Sequence, residues 1–203
     1  MSFIVQVPFT DTCLAVNPKA GSDCLLTWVR QVIKGCSVAE ARSGRSIHVR
    51  MRPAVLEGPI PGKVLFVLRD PVHRFASAYF EKISNPRSPL YRNGVSMLEW
   101  AEALQDPTYR DSDWHWEAQT NLTKRFITPE LVTHADLYVV QEFLDVLMDG
   151  TGKESPRLLN TKVKERRYEG HIMDHVTPEI VAFINAAYTK DCDTYARIVG
   201  LTP

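Results

Sequence analysis

No run in the 203 residues reaches the roughly 18 consecutive apolar residues that a helix needs to cross a bilayer. The opening residues, MSFIVQVPFTDT, also lack the basic start and small-residue cleavage site of a secretory leader. These two absences predict a cytoplasmic protein with no transmembrane segment. An excess of charge is missing as well, because 24 Lys and Arg are matched by 24 Asp and Glu. A basic nucleic-acid coat and a charged disordered tail are thereby excluded, and any anion site must be local. Cysteine is scarce: Cys13, Cys24, Cys36 and Cys192 show no CxxC spacing and sit among apolar residues. That pattern fits reduced, mostly buried thiols better than a disulfide frame or a zinc site. No internal repeat or low-complexity tract breaks the chain. With 44% hydrophobic residues, residues 1–203 read as one domain, which at this length buries roughly two-thirds of its unfolded surface.

Periodicity predicts alternating strands and helices. Thr12 to Asn17 (TCLAVN) is a short β-leaning run closed by Asn17-Pro18, and from Ser22 the residues Leu25, Val29, Val32 and Ile33 recur at helical spacing up to Lys34-Gly35. Ser46 to Met51 (SIHVRM) alternates as a strand. Lys63 to Leu68 (KVLFVL) is continuously apolar, as in a strand covered on both faces. A helix opens at Pro71 with Val72, Phe75, Ala76, Tyr79 and Ile83 as its apolar stripe. Residues 84–94 form an exposed loop, and a helix covers Ser96 to Leu104. Asp136 to Val140 (DLYVV) is a further strand leading into a helix from Glu142. Thr177-Pro178 opens one long helix to about Val199. This alternation argues for an α/β fold, a parallel sheet flanked by helices.

Two segments carry chemistry. Asn17-Pro18-Lys19-Ala20-Gly21-Ser22 joins a strand to a helix, where free N–H groups and the positive helix end can hold an anion. Lys19 adds a point charge, Gly21 permits close approach of the backbone, and Ser22 can cap the helix and donate to an oxygen. The GxxxxGK[ST] spacing of a nucleotide-hydrolysing P-loop is absent, so an ordinary strand-to-helix turn would look the same. The second segment is Arg69-Asp70-Pro71, closing the apolar strand, with Arg74, Ser77 and Tyr79 following as RDPVHRFASAY. A guanidinium at a strand's C-terminal end and a hydroxyl one helical segment later can converge on a single phosphate.

PKAGS after one strand, with RDP..R..SAY about fifty positions later, resembles the two cofactor loops of sulfotransferases that use 3′-phosphoadenosine-5′-phosphosulfate (PAPS). The nearest likeness is to the Golgi-type carbohydrate sulfotransferases, and it extends loosely from about residue 12 to about residue 200. It implies a three-layer, P-loop-NTPase-like fold with a central, mainly parallel sheet. It also implies PAPS as donor, adenosine 3′,5′-bisphosphate as product, and a hydroxyl-bearing acceptor, either a saccharide or a small metabolite. Pro18, Lys19, Ala20, Gly21, Ser22, Asp23 and Cys24 would form the loop for the 5′-phosphosulfate, and Arg69 and Ser77 would grip the 3′-phosphate. More distantly, Asp113 to Gln119 (DWHWEAQ) resembles the family's His-aromatic-x-x-Gln stretch. Leu159-Asn160-Thr161-Lys162 resembles the strand end before its last cofactor loop, which brings Lys162 to the cofactor. Lys164, Arg166 and Arg167 beside it read equally as phosphate contacts or as a solvated loop. One departure is that Asp23 and Cys24 stand where the family usually has hydroxyl residues. A carboxylate in a first helical turn is favourable if it faces solvent. Facing the pocket it would weaken a polyanion, so an inactive nucleotide-binding or interaction protein of the same fold is the alternative.

Transfer to a hydroxyl needs a charge stabiliser, for which Lys19 is placed, and a base. His48, in SIHVRM, lies nearly where uronyl-directed members of the family carry a catalytic histidine, although Ser46 replaces the first residue of their His-x-His. A structural histidine on a strand is the competing reading. His115, between Trp114 and Trp116, is the second candidate base; the two indoles would be either a stacking wall for a sugar or core anchors. Glu57 and Glu117 follow. His171 and His175 share a helical spacing but lack a third ligand, which leaves no metal site. A nucleotide kinase is a weaker third class, since no magnesium-binding arrangement can be identified.

Overall fold

The computed structural model describes residues 3–6, 10, 12–16, 22–34, 52–53, 63–123, 129–133, 144–149, 151–152, 155–156 and 171–200. In chain order the elements are β1 (Phe3–Gln6), β2 (Thr12–Val16), α1 (Ser22–Lys34), β3 (Arg52–Pro53), β4 (Lys63–Leu68), α2 (Pro71–Ala78) and α3 (Met97–Ala103). There follow α4 (Pro107–Arg110), α5 (Thr120–Thr123), β5 (Pro129–Thr133), α6 (144–149), α7 (Pro178–Ala187) and α8 (Thr189–Ile198). The described residues fall into two compact units, one drawn from Met1–Leu68 and Thr123–Lys162, the other from Arg69–Leu122 and Val163–Pro203.

The first unit is built on a five-stranded sheet of order β3-β1-β2-β4-β5. β2, β4 and β5 run parallel, with Leu14 opposite Leu65 and Phe66 opposite Leu131. β1 is antiparallel to both β2 and β3. Among the described residues four of the five strands therefore share one direction, and β1 alone runs against them. The connection from β1 to β2 is too short for a crossover and must return as a hairpin, whereas the long passage from β2 to β4 carries α1 and permits parallel pairing. β4 has a partner on each side, and the consecutive residues Phe66, Val67 and Leu68 are all buried, as its unbroken apolar sequence predicts. On α1 the buried residues Leu25, Trp28 and Val29 follow the helical period, and on α6 Leu144 and Met148 do the same. The strands predicted at 46–51 and 136–140 lie outside the described residues.

The second unit is helical. Pro71 and the Asp70 cap start α2, and its stripe of Val72, Phe75 and Ala76 continues through Tyr79 and Ile83 into one core with Trp100, Leu104, Trp116, Ile180 and Ile184. Full burial of a side chain of this size contributes about 1.5–3 kcal/mol as an upper estimate. Tyr79–Ile83 is wound as a π turn, a wider coil than the α-helix expected through Ile83. α3 starts at a capping box: Ser96 Oγ accepts from the Glu99 N–H at 3.2 Å, and the Glu99 carboxylate accepts from the Ser96 N–H at 2.7 Å.

The single C-terminal helix expected from Thr177 to Val199 is in fact two, α7 and α8, parted at Tyr188, whose φ of −124° and ψ of 35° leave helical geometry. The cause is tertiary. The Tyr188 hydroxyl donates to the buried carbonyl of Trp116 at 2.6 Å, and a buried carbonyl left without a donor would cost about 1–3 kcal/mol. Among the described residues no helix is long and apolar enough to cross a membrane.

Candidate functional site

Arg69 and Asp70 are the two residues between the end of β4 and the start of α2. Asp70 turns the chain into the helix: its carboxylate accepts from the His73 N–H at 2.8 Å, and its carbonyl accepts from the Arg74 N–H at 2.9 Å. Six of the eight residues of α2 are buried, leaving His73 and Ser77 half-buried, four positions apart and so on one face. Arg69 is half-buried as well. The imidazole of His73 is held below its ordinary pKa by burial, an effect that Asp70 opposes and that Arg69 and His171 reinforce. Arg69 ahead of the helix, and His73 and Ser77 on one of its faces, thus supply a guanidinium and a hydroxyl donor, groups that can bind a phosphate.

Arg69 is fixed by its main chain. Its N–H donates to Oε1 of Gln119 at 3.0 Å, and its carbonyl accepts from Nε2 of Gln119 at 2.7 Å. The Gln119 and Thr120 N–H groups donate in turn to the Asp191 carboxylate at 2.7 and 2.9 Å, and the Thr120 hydroxyl donates to it at 2.7 Å. Arg74, which the sequence places in the RDP..R pattern, points inward with 4% of its surface exposed. Its guanidinium donates to the carbonyls of Glu117 and Trp114 at 3.0 and 3.2 Å. Burial lowers its pKa, against the opposing influence of Tyr188, Asp191 and Glu117. Arg74 is therefore a strut between α2 and the 113–119 segment.

That segment carries His115. Its ring Nδ1 lies 2.5 Å from the Asp113 carboxylate, which also accepts from the His115 N–H at 2.9 Å, and the indole of Trp114 packs against the imidazole at 4.6 Å between ring centres. A carboxylate at Nδ1 selects the tautomer in which Nε2 is the basic nitrogen, the arrangement that a general base requires. Trp116 is a core anchor and not a stacking wall, packed on Trp100 at 5.3 Å and on Phe75 at 6.4 Å. The recess between Pro71, Arg74, Phe75, His115, Trp116, Tyr188 and Asp191 has no room for a water molecule, so it is packing and not a ligand cavity. Cys192, free and half-buried, has its thiol pushed up to about 11 by burial and then by Asp191, which removes it as a nucleophile. His171 and His175 are exposed, and among the described residues no group of three or more His, Cys, Asp or Glu could hold a metal ion.

Of the site residues expected from the sequence, Arg69, Ser77 and His115 are described with their side chains. Ser22, Asp23 and Cys24 form the first turn of α1. Pro18, Lys19, Ala20, Gly21, His48, Glu57 and Lys162, with Lys164, Arg166 and Arg167, lie outside the described residues. Sequence reasoning passed over His73, Asp113 and Asp191. His73 was legible as the polar residue one helical turn before Ser77, whereas nothing local marks Asp191, which acts on residues about seventy positions earlier.

A mixed β-sheet with α1 in its connections, followed by a helical unit, defines an α/β protein. Residues 62–196, more than half of the chain, match the family model described as the sulfotransferase family, and the chain belongs to that family. Its members are PAPS-dependent enzymes with a P-loop-like fold. The matched span contains Arg69, Ser77, His115, Gln119 and Asp191. Neither a search of curated proteins nor one of solved structures found a match.

Proposed function

We propose that the chain transfers a sulfuryl group from PAPS to a hydroxyl of a carbohydrate, in a three-layer α/β fold of the sulfotransferase type. The observation that carries this reading is the Arg69 junction within the family-matched span: a half-buried arginine ahead of a capped helix start, with the Ser77 hydroxyl near the far end of the same helix. Arg69 and Ser77 hold the 3′-phosphate. Lys19 to Cys24, following Pro18, hold the 5′-phosphosulfate, with Lys162 as a further cofactor contact. PAPS supplies a sulfuryl group on a phosphate leaving group. The chain's own part is to align the acceptor, to neutralise the charge that spreads in the transition state through Lys19, and to take the acceptor proton. His48 is the base that the family likeness favours. The Asp113–His115 pair supports a second assignment in which Nε2 of His115 takes the proton. The carbohydrate acceptor rests on the likeness to Golgi-type members.

The test is transfer of labelled sulfate from PAPS to a panel of saccharides and small hydroxyl compounds. Label on a saccharide hydroxyl supports the reading. Label on small metabolites alone would move the acceptor class. Tight binding of adenosine 3′,5′-bisphosphate without transfer to any acceptor would leave a binding protein, with Asp23 as the first residue to revert to a hydroxyl.

A further inference from the structure

The hydrogen bonds that end at Arg69 begin on the last helix. Asp191, on α8, has 1% of its surface exposed, and a buried carboxylate is costly unless its oxygens are well supplied with donors. Three donors meet it: the Gln119 N–H at Oδ2, and the Thr120 N–H and hydroxyl at Oδ1. Gln119 is equally buried, and its amide turns the other way to pair with both main-chain groups of Arg69. A side-chain amide thus satisfies both main-chain groups of Arg69 and fixes that residue in place. Apolar residues would fill the same space without the desolvation cost of a carboxylate and an amide. What this network adds is the position and orientation of Arg69.

We infer that Gln119 and Asp191 are positioning residues that hold the Arg69 backbone so that its guanidinium meets the 3′-phosphate, and that they thereby set the preference for a 3′,5′-bisphosphate over a 5′-phosphate. The inference rests on the assignment of Arg69 to the 3′-phosphate, and its test separates the two.

The experiment is calorimetric titration of the full chain with adenosine 3′,5′-bisphosphate and with adenosine 5′-phosphate, between pH 5.5 and 9, for wild type, Arg69→Ala, Gln119→Glu and Asp191→Asn. A glutamate at 119 can donate to the Arg69 carbonyl only when protonated. Asparagine at 191 can turn an N–H toward the Gln119 N–H in place of an acceptor. At pH 8 both variants should lose about tenfold or more of the preference for the bisphosphate, with the 5′-phosphate changed by less than about twofold. For Gln119→Glu the loss, measured against wild type at each pH, should shrink as pH falls and the carboxyl takes up its proton, which mere loosening of the fold would not produce. Wild-type preference in folded variants, equal loss for both nucleotides, or a loss that does not change with pH would overturn the inference. Should Asp191→Asn fail to fold, Gln119→Glu decides alone. If Arg69→Ala itself keeps the preference, the assignment of Arg69 falls and the inference falls with it. If Arg69→Ala abolishes the preference while the other two retain it, only the positioning role is lost.

Discussion

Replacing Arg74 by lysine keeps a positive charge in the same place and removes only the fork. The guanidinium serves two carbonyls on different residues, Glu117 at 3.0 Å and Trp114 at 3.2 Å, in a position with 4% exposure. A lysine ammonium can reach one of them at best. The change therefore forfeits one charge-assisted bond and leaves a buried carbonyl without its donor, about 1.5–3 kcal/mol for the first and about 1–3 kcal/mol for the second, partly the same loss. A net destabilisation of about 2–4 kcal/mol follows, which for a chain of this size lowers Tm by about 5–15 °C. Urea and thermal unfolding monitored by circular dichroism and by tryptophan fluorescence measure it, coincidence of the two probes justifying a two-state reading. Arg74→Met should be at least as damaging, because both carbonyls then lose their donors. Wild-type stability in Arg74→Met would refute the view that this buried arginine is held for its hydrogen bonds.

Tyr188→Phe removes the hydroxyl bonded to the Trp116 carbonyl and should cost about 1–3 kcal/mol in the same unfolding assay, with the break between α7 and α8 weakened. His73 has its folded-state pKa lowered, so the native state disfavours the proton that the unfolded chain accepts. Stability should therefore be greatest above about pH 6.5 and fall as pH drops from there through the folded pKa, and His73→Gln should flatten this part of the curve. An unchanged pH profile in that variant would contradict the burial of the imidazole. His48→Ala should lower kcat by roughly 10²–10⁴ with little change in nucleotide affinity, while His115→Ala should mainly raise the acceptor KM. The reverse pattern would transfer the base to the Asp113–His115 pair.

The parts of the fold that could be read from the sequence are those whose signals are local. β4 was legible because five apolar residues in a row, Val64 to Leu68, demand cover on both faces, and α2 because Pro71 opens a helical stripe. α3 was expected over Ser96 to Leu104, and the structure adds the capping box of Ser96 and Glu99. β5 was not read, since PELVT opens on proline and offers only two adjacent apolar side chains; its extended form comes from pairing with β4. β1 is four residues long and owes its place to β2 and β3. Tyr188 breaks a helix that periodicity extends, because its partner is a carbonyl over seventy positions away. The candidate site divides in the same way. Arg69, Ser77 and His115 stand in short patterns that resemble a known family, whereas the dependence of Arg69 on Gln119 and Asp191 is made by tertiary contacts with no trace in local spacing.

The central claim is that this chain moves a sulfuryl group and that Lys19 stabilises the transfer. A single-turnover measurement with sulfate-labelled PAPS and an accepted hydroxyl compound, run on wild type and on folded Lys19→Ala, tests it most directly. Loss of one preorganised charge at the transferring group is worth roughly 3–4 kcal/mol in the transition state, so label should pass to the acceptor in wild type and slow by about 10²–10³ in the variant, with the nucleotide still bound. Equal rates in the two proteins, or label that never leaves the nucleotide in wild type, would contradict the account.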